Sequence, residues 1–106
     1  MRFVYHPDFP KDIKRFFAQY SAISSQLGSR FLGEVDKAID HIKQAPSSAG
    51  HFINIGSHIM KEVRRRNLKS FPFFVLYGVS GDVLVFRSLI PSASDPLSWL
   101  NRFPLS

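Results

Sequence analysis

The run Phe71-Pro72-Phe73-Phe74-Val75-Leu76-Tyr77 limits this chain more than any other stretch. It is built from aromatic and β-branched residues and is apolar at nearly every position, so it predicts a strand with both faces covered. Such a strand needs neighbours on each side and a packed layer on each face. Similar runs flank it. Ile59 to Lys69 precede it across a turn near Asn67 to Ser70, and Val83 to Ile90 follow it after Gly78-Val79-Ser80-Gly81-Asp82. The glycines of that second turn supply positive φ. The reading is three consecutive antiparallel strands with the most apolar one inside. The first of them carries Lys61, Arg64, Arg65, Arg66 and Lys69, so the sheet that builds the core also displays charge.

The N-terminal half supplies the covering layer. Arg2 to Tyr5 alternate and predict a short opening strand, placed at the sheet edge or beside a later strand. Asp8 is the expected N-cap of a first helix, with Pro10 in its opening turn. Ile13, Phe16, Phe17, Tyr20 and Ile23 recur at helical spacing, and Lys11, Asp12, Lys14 and Arg15 take the opposite face. Ser21 to Ser25 read as a loop. A second stripe follows in Leu27, Phe31, Val35, Ala38, Ile39 and Ile42, with Glu34, Asp36, Lys37, Asp40, His41 and Lys43 toward solvent. His41 is expected to be simply exposed. Pro46 ends this helix, because the residue before a proline is pushed out of helical geometry. Two amphipathic helices with a short connection form an antiparallel hairpin. His51 to His58 are assigned mostly to loop, and Leu97 to Arg102 to one helical turn with Trp99 packed back on the body.

The expected architecture is therefore α+β. An N-terminal strand and a two-helix hairpin pack on a three- to four-stranded, mainly antiparallel sheet, in the order β-α-α-β-β-β. The 106 residues make a single domain spanning 1–106. With no cysteine there are no disulfides or thiolate metal sites, and His51 and His58 lie without the three or four ligands zinc normally takes. No metal or cofactor is expected. No apolar run approaches the roughly 20 residues that span a membrane, and Pro7 interrupts any signal-peptide core, so a cytoplasmic location is expected. The net charge is +6, and its excess leans to the C-terminal half. Such a bias suits an anionic partner.

The order of motifs resembles the RelE/ParE superfamily of toxins from type II toxin–antitoxin systems. Leu27-Gly28-Ser29-Arg30-Phe31 is similar to the family's entry to its second helix, and Ile42 through Pro46 to the exit from it. Val63-Arg64 followed by Leu68 to Tyr77 matches a basic strand, a turn and Phe-Pro-Tyr-x-(Ile/Val)-x-Tyr. Arg87 falls where many ParE-like members carry an arginine, and Pro96-x-x-Trp99-x-x-Arg102 resembles the family's closing motif. Where many members carry a His and an Arg around the last strand, this chain has Pro91 and Ser94.

The resemblance implies a growth-inhibiting toxin, of the kind that stabilises plasmids, held inactive by a small antitoxin. A ParE-like member binds DNA gyrase and has no catalytic residues of its own. A RelE-like member cuts mRNA in the ribosomal A site, and a member that has lost toxicity keeps only antitoxin binding. Metal-free RNA cleavage needs a base, an acid and cations for the phosphate. The candidates are Arg64, Arg66, Arg87 and Glu62; no His or Tyr follows Ile90, which favours the non-enzymatic branch. Lys61, Arg64, Arg65, Arg66, Lys69 and Arg87 are the expected target- or anion-binding residues. On an ideal strand Lys61, Val63 and Arg65 share one face, and Glu62, Arg64 and Arg66 the other.

Overall fold

A computed structural model of the chain describes residues 1–53 and 62–93, and at positions 51–53 and 62 the backbone alone. The elements run β1 (Arg2–Tyr5), α1 (Asp8–Ile23), α2 (Ser25–Gln44), β2 (His51–Ile53), β3 (Glu62–Asn67), β4 (Phe73–Ser80) and β5 (Val83–Pro91). They form one five-stranded sheet in the order β1-β5-β4-β3-β2. β1 runs parallel to β5, and every other neighbouring pair is antiparallel. The α+β architecture expected from the sequence is the one found, with β1 at the edge beside β5. The expected tail helix, Trp99, Ser94, His58 and Lys61 lie outside the described residues.

β4 is the inner strand, buried from Phe73 through Gly78. Its alternate residues feed two clusters. Phe73, Val75 and Tyr77 join Leu84, Phe86 and Leu89 under the helices. Phe74 and Leu76 join Val63, Val85 and Ile90 on the opposite face. The helix-side cluster is dense in rings. Phe16 and Phe73 lie 4.6 Å apart by centroid, and Tyr20 meets Phe71 edge-on at 4.9 Å. Pairs of this kind add about 0.5–1.5 kcal/mol each beyond area burial.

Local chemistry differs from expectation at four places. Asp8 opens α1 from inside the helix and does not cap it; its N–H donates to His6 Nδ1 at 3.1 Å. The expected loop at Ser21 to Ser25 shrinks to Ser24, whose Oγ caps α2 by accepting from the Leu27 N–H at 3.0 Å. Ile23 consequently leaves the buried stripe and is 73% exposed. His51–Ile53, read mostly as loop, pair with Val63 to Arg65 as a fifth strand. Of the predicted Gly78–Asp82 turn, only Gly81 and Asp82 lie between the strands. Gly81 alone carries positive φ (+59°), and Gly78 pairs inside the sheet. A positive φ at the first turn position is the sign pattern of a type II′ hairpin.

Two glycines separate backbone freedom from close approach. A Cβ on Gly50 would overlap the Arg65 carbonyl and stand 3.0 Å from the Tyr77 hydroxyl, whereas one on Gly33 meets open space. Gly33→Ala should therefore stabilise the protein by about 0.5–1 kcal/mol through helix propensity. Gly50→Ala should cost about 1–3 kcal/mol through overpacking. Urea denaturation of the two variants checks both signs.

Candidate functional site

The three arginines of β3 divide as strand geometry dictates. Arg64 and Arg66 pair across the ladder with Tyr77 and Val75, which face the helices; Arg65 pairs with Leu76, which faces away. On the helix side both arginines reach the chain leaving α2. Arg64 Nη1 donates to the Gly50 carbonyl at 2.9 Å, and Arg66 Nη1 donates to the Ala49 carbonyl at 2.6 Å. Tyr77 adds a third tie, its hydroxyl donating to the Pro46 carbonyl at 3.2 Å. These bonds fasten residues 46–50 over the end of the sheet. The absence of a side chain at Gly50 lets the two backbones meet.

Arg66 has a second partner. Its Nη2 lies 3.0 Å from His41 Nδ1. An arginine can only donate, so this contact requires a His41 with a lone pair on Nδ1. His41 was expected to be merely exposed. Its role is legible in the spacing of Glu34, Lys37, Ala38 and His41, which places all four on one helix face. With Arg66, Asn67, Leu68, Lys69 and Ser70 they line a groove of about 410 Å³ between α2 and the β3–β4 connection. Glu34 Oε1 shapes its far end by accepting the Ser70 N–H at 2.8 Å. A smaller cavity of about 250 Å³, lined by Ser48, Ala49, Gly50, Arg65, Arg66 and Asn67, adjoins it and shares Arg66 and Asn67.

Arg65 takes the other face. Its guanidinium lies 4.1 Å above the Phe74 ring, and Nε and Nη2 donate to Asn67 Oδ1 at 3.3 and 3.0 Å. A cation–π contact of this kind contributes about 0.5–2 kcal/mol and leaves the charge in place.

Arg87 is set apart by burial: it is 0% exposed. In the ladder Leu76 faces Ser88 while Tyr77 faces Phe86, so Arg87 is the extra residue of a β-bulge. Bulges re-aim side chains and recur beside functional sites. Burial lowers the Arg87 pKa from its ordinary value to about 10, and the guanidinium is still cationic at neutral pH. The row Arg64–Tyr77–Phe86 crosses three strands, so Arg87 lies next to the end of the row that Arg64 begins. The two backbones are about 10 Å apart by sheet spacing.

Asp12 pins this bulge. It was assigned to the solvent face of α1, but it is 8% exposed and its Oδ2 accepts the Leu89 N–H at 3.1 Å. No sequence signal marks the inversion.

Of the predicted site residues, then, the fold brings together Arg66 and Lys69, with Arg64 alongside, and places Arg65 across the sheet and Arg87 two strands away. Glu62 begins β3 opposite Val79. Among the described residues no group of three or more His, Cys, Asp or Glu is arranged to hold a metal ion, and no helix is long and apolar enough to cross a membrane. Chemically, the arrangement is a cationic rim with an imidazole hydrogen-bonded to one of its arginines.

No protein-family model matches the sequence, and no curated protein matches it. Among solved structures the fold is similar to a chain of the chromosomal ParDE TA system from P. aeruginosa. The TM-score is 0.61 at 16% identity, covering 86% of this chain and 95% of that one. At that identity the likeness establishes the fold, which is the one implied by the RelE/ParE resemblance.

The Asp12–Leu89 bond makes a direct prediction. Asp12→Ala leaves a buried N–H without its acceptor and should cost about 1–3 kcal/mol, while Asp12→Asn, which keeps a carbonyl oxygen, should cost less. Chemical denaturation of the pair measures the difference.

Proposed function

We propose that this chain, which shares its fold with a component of a ParDE TA system, is the toxin of a type II toxin–antitoxin module. In this reading it works in the cytoplasm and binds a protein target in the ParE-like manner, with DNA gyrase as the target. A small antitoxin neutralises it. The observation that carries the reading is the fold likeness across nearly the whole chain. Arg87, buried at a bulge where many ParE-like members carry an arginine, supports the choice of branch.

One observation favours a second reading. The Arg66–His41 contact sets a cation beside an imidazole in an open groove, and RNA cleavage without a metal uses such groups. That is the ribosome-dependent ribonuclease of the RelE-like branch. Pro91 and Ser94, standing where many family members carry His and Arg, motivate the third: a member that has kept the fold and antitoxin binding alone.

Induced without a partner, the protein should arrest growth, and the purified protein should inhibit gyrase supercoiling. Arg87→Gln should weaken that inhibition by about tenfold or more, the loss expected for a charged contact at a buried centre. Growth arrest with supercoiling intact and A-site cuts on translating ribosomes would establish the ribonuclease instead. Full growth on induction would leave the inactive member.

A further inference from the structure

The two helices are joined by one residue, and the apolar pattern ignores the join. Phe17, Tyr20, Ile23, Leu27, Phe31 and Val35 cover 18 residues in five steps, the roughly 3.6-residue period of one unbroken α-helix. Folding the chain back at Ser24 costs that stripe one member. Phe17, Tyr20 and Leu27 pack against the core and Phe31 and Val35 lie inside it, but Ile23 is 73% exposed.

The helical bonding is nearly as continuous. The Ser24 N–H donates to the Tyr20 carbonyl at 3.0 Å, and the Gly28 N–H donates to the Ser24 carbonyl at 3.1 Å; both are i→i−4 bonds. Between them the N–H groups of Ser25, Gln26 and Leu27 leave the ladder, and that of Leu27 is held by Ser24 Oγ instead. The reversal therefore rests on one residue, Ser24, at φ −160° and ψ 146°. It also presses α1 onto α2 at once. A Cβ on Gly28 would overlap Ser21 Oγ, and that hydroxyl is buried with no hydrogen-bond partner among the described residues.

We propose that Ser24 is a hinge and that this chain exchanges β1 and α1 with a second copy of itself. With Ser24 helical, residues 8–44 form one helix of about 55 Å. Two such helices lie antiparallel across a dyad at the hinge, and α1 of each packs on α2 and β5 of the other. The hairpin's contacts away from the hinge are kept, which is why exchange through a very short connection is a low-cost route to a dimer. The unbroken stripe sets both sheets on the same side of the helix pair and brings the two Ile23 side chains together between them. Ile23 thereby gains the burial that the hairpin denies it. The exchange also reaches the bulge. Asp12 travels with α1, so the Leu89 N–H next to the bulge is then held by Asp12 of the partner subunit. None of this depends on the toxin reading.

The test is sedimentation velocity on the full chain and two hinge variants. The parent should be monomeric at about 1 μM and dimerise as its concentration approaches about 1 mM. Ser24→Ala removes the cap and favours helix through the hinge, so it should tighten the dimer about tenfold or more. Ser25→Pro should weaken it about a hundredfold or more. Proline suits the first position of α2 and the extended Ser24 before it, but not the interior of a continuous helix. Urea unfolding should give monomeric Ser25→Pro the parent's stability, and a label distance decides the proposal without that variant. The chain has no cysteine, so Lys14→Cys with Asp36→Cys supplies two spin labels. In a Ser24→Ala dimer diluted with unlabelled chains, the labelled chain should show a separation of about 33 Å, the rise of 22 residues of helix. The hairpin holds the same pair about 10–20 Å apart. The short separation within the dimer, a Ser24→Ala protein still monomeric at about 1 mM, or a folded Ser25→Pro protein that dimerises as well as the parent would each overturn the proposal.

Discussion

Covering one strand on both faces dictates most of what surrounds it. β4 is buried from Phe73 to Gly78, so it requires hydrogen-bonded neighbours on both edges and apolar cover above and below. The helical hairpin supplies one cover, through Phe16, Tyr20, Phe31, Val35 and Ile42. β5, equally apolar, supplies one neighbour. β3 is the other neighbour, and it carries the charge. An arginine-rich strand beside so apolar a core must send each guanidinium to the margin or satisfy it locally. Arg64 and Arg66 find backbone carbonyls of the 46–50 loop, and Arg65 finds Asn67 and the face of Phe74.

That solution couples stability to function. The Arg66 guanidinium that fastens the loop also lines the groove, because a carbonyl and an imidazole satisfy its donors without cancelling its charge. Losing Arg66 would loosen the loop and weaken the rim together. Arg87 follows a different logic. Its bulge lifts it out of the regular ladder, burial depresses its pKa, and Asp12 secures the strand two residues further on. Among the described site residues, Arg66 and Lys69 line the groove, Arg65 lies on the opposite face of the sheet, and Arg87 is buried at the bulge.

How much of this could be read from residues alone depended on the length and regularity of each signal. The runs that became β3, β4 and β5 were legible because each is several residues long and bounded by polar or glycine-containing turns. The division of the arginines followed from strand alternation, and Arg87 stood out as a charge in an apolar run. β2 was not legible, since three residues between breakers carry too little pattern. The bulge has no glycine or other marker in Val83–Pro91. The loop ties of Arg64 and Arg66 span fourteen and seventeen residues of sequence, a separation that no local pattern encodes.

Native-state hydrogen exchange on the parent and on Arg66→Gln tests this division of labour most directly. The β4 amides of Phe74 and Leu76 should exchange only through global unfolding in both proteins. The Ser48 and Ala49 amides, which donate to the Ala45 carbonyl, should lose about tenfold or more of their protection when Arg66 no longer holds the loop. Unchanged protection at Ser48 and Ala49 would show that Arg66 does not fasten the loop. Exchange of the β4 amides through local opening in the parent would contradict the doubly covered strand on which the whole account stands.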